Sequence, residues 1–236
     1  KKYSEELISL EDTADNRLAQ IQIFLGVGLV KEAEYKLQSF KEKYPDEPRM
    51  LLLQAWLAMR QGQLKKALDL TNLNLQTNQN SSTAWRLRGE INLLLEDYDN
   101  AINDLRKSKS MSDEPATRIS LAKAYMQAKR YEDAITELKV TVDTPGASQQ
   151  AMSLLELIYL QLGRNEALKK FYEETLEKFP NSVRWLNRAA AFAIDTENFD
   201  RAEQLYKKAY SLSSQSLPDQ NQKDAAQDML YVTAFD

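Results

Sequence analysis

The chain has 236 residues, 31 Lys and Arg against 35 Asp and Glu, 43% hydrophobic residues, and neither cysteine nor histidine. Without imidazole or thiol, the commonest general base, the commonest reactive nucleophile and nearly every zinc or iron–sulfur site are ruled out, and disulfides cannot form. A net charge of −4 with evenly spread basic residues argues against nucleic acid as a partner, and the longest uncharged apolar stretch, Leu18 to Val30, is too short for a membrane span of about 20 residues.

The chain opens Lys1-Lys2-Tyr3 with no initiator Met and no apolar signal core, as expected of a processed product or a piece of something longer. Tyr3 to Leu10 reads as the remnant or cap of a helix within residues 1–13. From Ala14 onward one pattern recurs: a short turn leads into a charged helix carrying a small residue. These small residues are Ala33, Ala67, Ala101, Ala134 and Ala202, with steps of 34, 34 and 33 and then 68. The last gap holds two periods, with Leu168 in register and Ala167 one residue early. Six units follow, at about 14–47, 48–81, 82–114, 115–148, 149–182 and 183–213.

Within each unit apolar residues recur at helical spacing twice, with a break between. The break falls near Gly28, Gly62 and Gly163, where glycine can take the left-handed conformation that ends a helix. Glu96, Lys129 and Glu197 stand there in the other units, at some local cost. Pro45 and Pro180 are expected to stop second helices, and Pro48 and Pro115 to open the first turn of the next. Ser82 suits a helix cap, although Asn80-Ser81-Ser82 is also a formal glycosylation sequon. Tyr98, Tyr131 and Phe199 occupy one equivalent place and read as core. After the last unit, residues 214–236 comprise a polar, Pro-interrupted link, Gln215 to Gln222, and a helix, Asp224 to Phe235. That helix sets Ala225, Ala226, Met229, Leu230 and Thr233 on one side, as a cap on the last unit would. The rival reading is the start of a seventh unit.

The units resemble tetratricopeptide repeats. The resemblance rests on Trp85 and, one residue out of register, Trp185 early in the first helix; on the small Ala55, Gly89, Ala122 and Ala190; on Phe24, Tyr125 and, with a slip of one, Tyr159. It also rests on the five alanines of the second helices, on Tyr172 and Tyr206, and on Pro45 and Pro180. The second unit departs from the pattern, with Ala58, Thr71 and Asn74. The resemblance implies an all-α fold, a right-handed α-solenoid of about six helix-turn-helix repeats with a C-terminal capping helix and concave and convex faces.

Motifs for chemistry are absent. Gly26-Val27-Gly28 lacks the Lys-Ser/Thr of a phosphate loop, and no Gly-x-Ser-x-Gly elbow or calcium loop occurs. The carboxylate pairs Glu173-Glu174 and Glu96-Asp97 read as solvated helix faces. No catalytic residue, cofactor or metal is therefore expected, and the chain reads as a non-enzyme. The resemblance places a partner-binding groove on the first helices, at Leu18 and Gln22, then Leu52, Trp56 and Met59, then Arg86, Glu90 and Leu93, then Lys123 and Met126, then Leu157, and finally Asn187 and Arg188. Strong curvature would instead bury Leu52, Leu93 or Trp56 between helices.

Two specialised family sites can be tested on these positions. The clamp for carboxylate-terminated chaperone tails needs Lys and Asn where this chain has Leu18, Gln22 and Leu53. The asparagine ladder of sugar-transferring enzymes would fall on Ala19, Leu53, Leu87, Ser120, Leu154 and Arg188. Neither fits, and RNA-binding pentatricopeptide arrays would be basic. The resemblance thus implies a non-catalytic scaffold or adaptor that binds a peptide or protein segment. The alternative is the repeat lobe of a larger bacterial envelope-assembly or secretion protein, or of an enzyme, whose active part lies outside this chain. Self-association through terminal repeats is a third expectation, and bacterial cytoplasm and periplasm both stay open.

Overall fold

The computed structural model describes residues 13–45, 47–144 and 146–216. Among them are twelve α-helices and no strand: α1 (Ala14–Gly26), α2 (Val30–Lys43), α3 (Met50–Arg60), α4 (Leu64–Thr77), α5 (Ser82–Leu94), α6 (Tyr98–Met111), α7 (Pro115–Gln127), α8 (Tyr131–Thr141), α9 (Ser148–Gln161), α10 (Asn165–Lys178), α11 (Val183–Asp195) and α12 (Phe199–Ser216). The expected N-terminal remnant, Tyr3 to Leu10, and the capping helix lie outside the described residues, as does the polar link beyond Ser216; its first two residues, Gln215 and Ser216, instead continue α12.

One turn, repeated six times, makes each pair of helices a hairpin. Gly28, Gly62 and Gly163 have φ of 81°, 75° and 61°, and Glu96, Lys129 and Glu197 take the same left-handed conformation at 62°, 58° and 59°. The next amide then reaches back five residues: Leu29 to the Phe24 carbonyl, Gln63 to Ala58, Asp97 to Asn92, Arg130 to Tyr125, Arg164 to Tyr159 and Asn198 to Ala193, at 2.7–3.0 Å. This is the Schellman closure, which satisfies carbonyls that a helix end leaves orphaned. The three non-glycine residues show that the closing hydrogen bonds outweigh about 1–2 kcal/mol of backbone strain.

Helix starts are capped less uniformly. Thr13, Ser81 and Asp97 accept from the amides of Asn16, Ala84 and Asn100 at 3.2, 3.1 and 3.3 Å, and Pro115 sits at the first position of α7. The cap of α5 is thus Ser81 rather than Ser82, whose backbone is already helical. Pro48 lies in the turn before α3 instead of in its first turn.

The described residues fall into two compact units, divided between Leu155 and Glu156. In the first, each helix packs on the next from α1 through α8, and α1 touches α3, α3 touches α5 and α5 touches α7. No such extensive contact joins successive second helices among the described residues. In the second unit α10 packs on α11 and α11 on α12. The five alanines of the second helices, and Leu168 in the same register, are buried as the spacing requires. Taking Leu168 as the anchor removes the slip at Tyr159, which is buried like Phe24 and Tyr125. Phe199 departs from expectation: it is 64% exposed, while Tyr98 and Tyr131 are half-buried. The first residue of a second helix lies outside the helix crossing, so its own hairpin does not cover it.

Candidate functional site

The contacts among α1, α3, α5 and α7 put their outward-facing residues on one side of the first unit. Two rows run across that side. One lies eight residues before the small residue of each second helix and contains Met59, Leu93 and Met126; the other lies eleven before and contains Gln22, Trp56, Glu90 and Lys123. On a helix, positions three apart are neighbours at about 5–6 Å. Gln22 is exposed, and the other six side chains are half-buried. Leu52 and Trp56 pack on the buried Ala55, Ala58, Ala67, Leu87 and Ile91, as Met59 does, so each has one side in the core and one free.

Leu18 is a correction: at 3% exposure it belongs to the core with Ile21, Phe24 and Leu25, because α1 turns that position toward α2 and α3. Arg86 and Glu90 form an ion pair one helical turn apart at 2.9 Å, and the Ser120 hydroxyl donates to the same Glu90 oxygen at 2.8 Å. The Glu90 carboxylate is therefore already neutralised. Lys123 makes no hydrogen bond or ion pair among the described residues, which leaves it the unmatched cation of these two rows.

The second unit carries the remaining expected residues. Leu157 is 50% exposed and Asn187 is exposed. Arg188 is engaged: its guanidinium donates to Glu156, and Glu156 also accepts from the Tyr172 hydroxyl at 2.5 Å. Glu156 is only 1% exposed, so its charge depends on these two donors. Burial, then the Glu156 hydrogen bond, push the Tyr172 hydroxyl far above its ordinary value of 10. Around it Tyr159, Phe171, Tyr172, Trp185 and Phe192 form a chain of rings with centroids 5.5–6.2 Å apart.

Sequence reasoning missed Glu156. Counted from Leu168 it falls in the same column as Ala55, Gly89, Ala122 and Ala190, and a carboxylate in that column was the available signal. It also missed the Asp104 carboxylate, which accepts from Arg88 at 2.8 and 2.7 Å and from Asn92 at 2.9 Å, while Arg88 reaches Asn72 of the preceding hairpin at 3.0 Å. Both networks tie helices together rather than face a ligand. No group of three or more Asp or Glu is placed to hold a metal among the described residues. No helix there is long and apolar enough to cross a membrane.

Two family models, each described as tetratricopeptide repeat, match residues 93–158 and 157–216. The chain is 28% identical over 127 residues to the uncharacterized protein ycf37 of Pyropia yezoensis, a match covering 50% of this chain and 71% of that protein. Solved structures share the fold at low identity. A thermophilic TPR protein of Thermus thermophilus aligns with a TM-score of 0.62 at 16% identity, over 77% of this chain and all of its own. A MamA double mutant aligns at 0.58 and 17%, over 74% and 98%. YrrB, described as a TPR protein with an unusual peptide-binding site, aligns at 0.53 and 16%, over 81% and 97%.

Proposed function

The chain belongs to the tetratricopeptide repeat family, and from that premise we propose that it is a non-catalytic scaffold holding a peptide or protein segment on the first-helix side of residues 1–155. The family's fold supports protein–protein interaction in general. What supports the finer reading is one observation: Trp56, Met59, Leu93 and Met126 are partly open apolar side chains on three successive first helices, each touching the next. Apolar anchors with polar edges are what a segment-binding surface requires. Lack of histidine and cysteine, and a register that assigns most residues to packing, support the non-catalytic part.

The test is affinity purification with intact protein as bait, repeated with a Trp56→Ala/Leu93→Glu variant and with Tyr35→Ala, which alters a 73% exposed residue on α2. Partners retained by Tyr35→Ala and lost by the double variant are expected, with circular dichroism verifying that both remain folded. Equal recovery by all three baits would remove the first-helix side from the account.

A further inference from the structure

We propose that the segment held on this face is a left-handed extended (polyproline II) strand with an apolar side chain at every third residue and a carboxylate beside its third anchor. The inference rests on the reading above and adds the chemistry of the ligand. Met59, Leu93 and Met126 are equivalent residues of α3, α5 and α7, and α3 touches α5 as α5 touches α7. Packed helices stand about 8–10 Å apart, so the three anchors repeat at about that interval across the face.

Backbone geometries differ sharply in how they meet this interval. A polyproline II strand rises about 3.1 Å per residue with three residues per turn, and so presents one face every 9.3 Å or so. A β-strand presents one face about every 6.6 Å, or about 13 Å if a position is skipped, and matches neither way. An α-helix would meet the interval at every seventh residue, at about 10.5 Å, but its body is about 10–12 Å wide. The two rows here are only about 5–6 Å apart, the width of a single extended chain.

The charges fix the rest. The row parallel to the anchors runs Trp56, Glu90, Lys123. Glu90 is paired with Arg86 and accepts a hydrogen bond from Ser120, and Trp56 is apolar, so Lys123 beside Met126 is the charged group left to match. A ligand carboxylate there gains a partner without displacing an existing one, whereas a ligand cation would meet repulsion at Lys123 and no free anion at Glu90. With three faces per turn, one face carries the anchors, the second meets Trp56 and Lys123, and the third faces solvent and admits proline.

The test uses fluorescein-labelled synthetic peptides and fluorescence anisotropy with the full chain. A proline-rich nonapeptide with Leu at positions 1, 4 and 7 and Asp at position 8 is compared with peptides of the same composition carrying Leu at 1, 3, 5 or at 1, 5, 9. An α-helical peptide with Leu at 1, 8 and 15 completes the set. The three-residue spacing is expected to bind at least tenfold tighter than the others. Replacing its Asp by Asn, or Lys123 by Gln, should each weaken binding about fivefold, and the two changes together no further. Equal binding of all spacings, all abolished by Leu93→Glu, would overturn the polyproline register and leave the face as the binding surface. Preference for the helical peptide would do the same. Binding of none, or binding that survives Leu93→Glu, would overturn the face itself.

Discussion

The hairpins α5–α6 and α9–α10 solve one packing problem in opposite ways. In α5–α6 the crossing is held by Gly89 under Leu105: a Cβ on Gly89 would lie 2.7 Å from the Leu105 Cγ and 3.1 Å from the Ala101 carbonyl oxygen. In α9–α10 the same two columns hold Glu156 and Tyr172, joined by a 2.5 Å hydrogen bond and completed by Arg188 from α11. The column therefore requires a pair that fits, not a small residue as such. A missing side chain under leucine and a buried carboxylate under a tyrosine hydroxyl fill the same gap, one by close approach and one by hydrogen bonding.

This contrast yields its largest expected effect at Arg188. Arg188→Ala leaves the buried Glu156 charge with one donor, and should lower unfolding stability by about 3 kcal/mol, the low end for a broken buried pair because Arg188 itself is 45% exposed. Glu156→Ala/Tyr172→Leu, which installs the small-under-large pair of the other hairpin, should stay within about 1 kcal/mol of the parent or exceed it. Chemical denaturation measures both, and a double variant as unstable as Arg188→Ala would mean the columns are not equivalent. Next comes Gly89→Ala, expected to cost about 1–3 kcal/mol because Leu105, whose Cγ would lie 2.7 Å from the added Cβ, must shift and the Ala101 carbonyl must give slightly, with an unchanged melting temperature as the contrary result.

A pH effect should distinguish the hairpins as well. The Tyr172 hydroxyl holds its proton far above the ordinary value of 10. Its stabilising contribution is fully present below pH 10 and declines above it, since the unfolded chain releases the proton that the native state keeps. The slope from this group is about 1.4 kcal/mol per pH unit. Tyr172→Phe should flatten the alkaline fall in stability, as followed by circular dichroism between pH 9 and 11. The smallest change is a gain: Lys129→Gly relieves a φ of 58° and should raise stability by about 1 kcal/mol. A loss there would mean that the lysine side chain contributes more than its strained backbone costs.

Much of the fold was legible because the repeat averages over local noise. The breaks at Glu96, Lys129 and Glu197 could be placed without glycine, since equivalent turns in other units marked them, and all three are left-handed. Leu168 was found in register against the nearer Ala167 for the same reason, and it is fully buried. What escaped depends on where a helix points. Leu18 shares its column with the half-buried Leu52 and Arg86, yet it is buried in the cluster that α1 forms with residues of α2 and α3. Glu156 escaped because glutamate belongs to solvated faces in most sequences, and only the partners Tyr172 and Arg188, 16 and 32 residues away, make its burial tolerable. Of the expected face, α3, α5 and α7 bring Leu52, Trp56, Met59, Arg86, Glu90, Leu93, Lys123 and Met126 onto helices in contact. Spacing could not foresee that Arg86 and Glu90 would cancel each other.

The unequal contacts within residues 1–155 also have a mechanical side. First helices touch first helices, and second helices meet one another mainly through the first helices between them. Such a stack bends like a leaf spring bound along one edge: the bound edge sets the pivot, and strain collects at the loose one. A load that spreads the hairpins would be absorbed between α2, α4, α6 and α8, while the separation of α3, α5 and α7 changes least. The ruler formed by Met59, Leu93 and Met126 lies along the edge that stretches least.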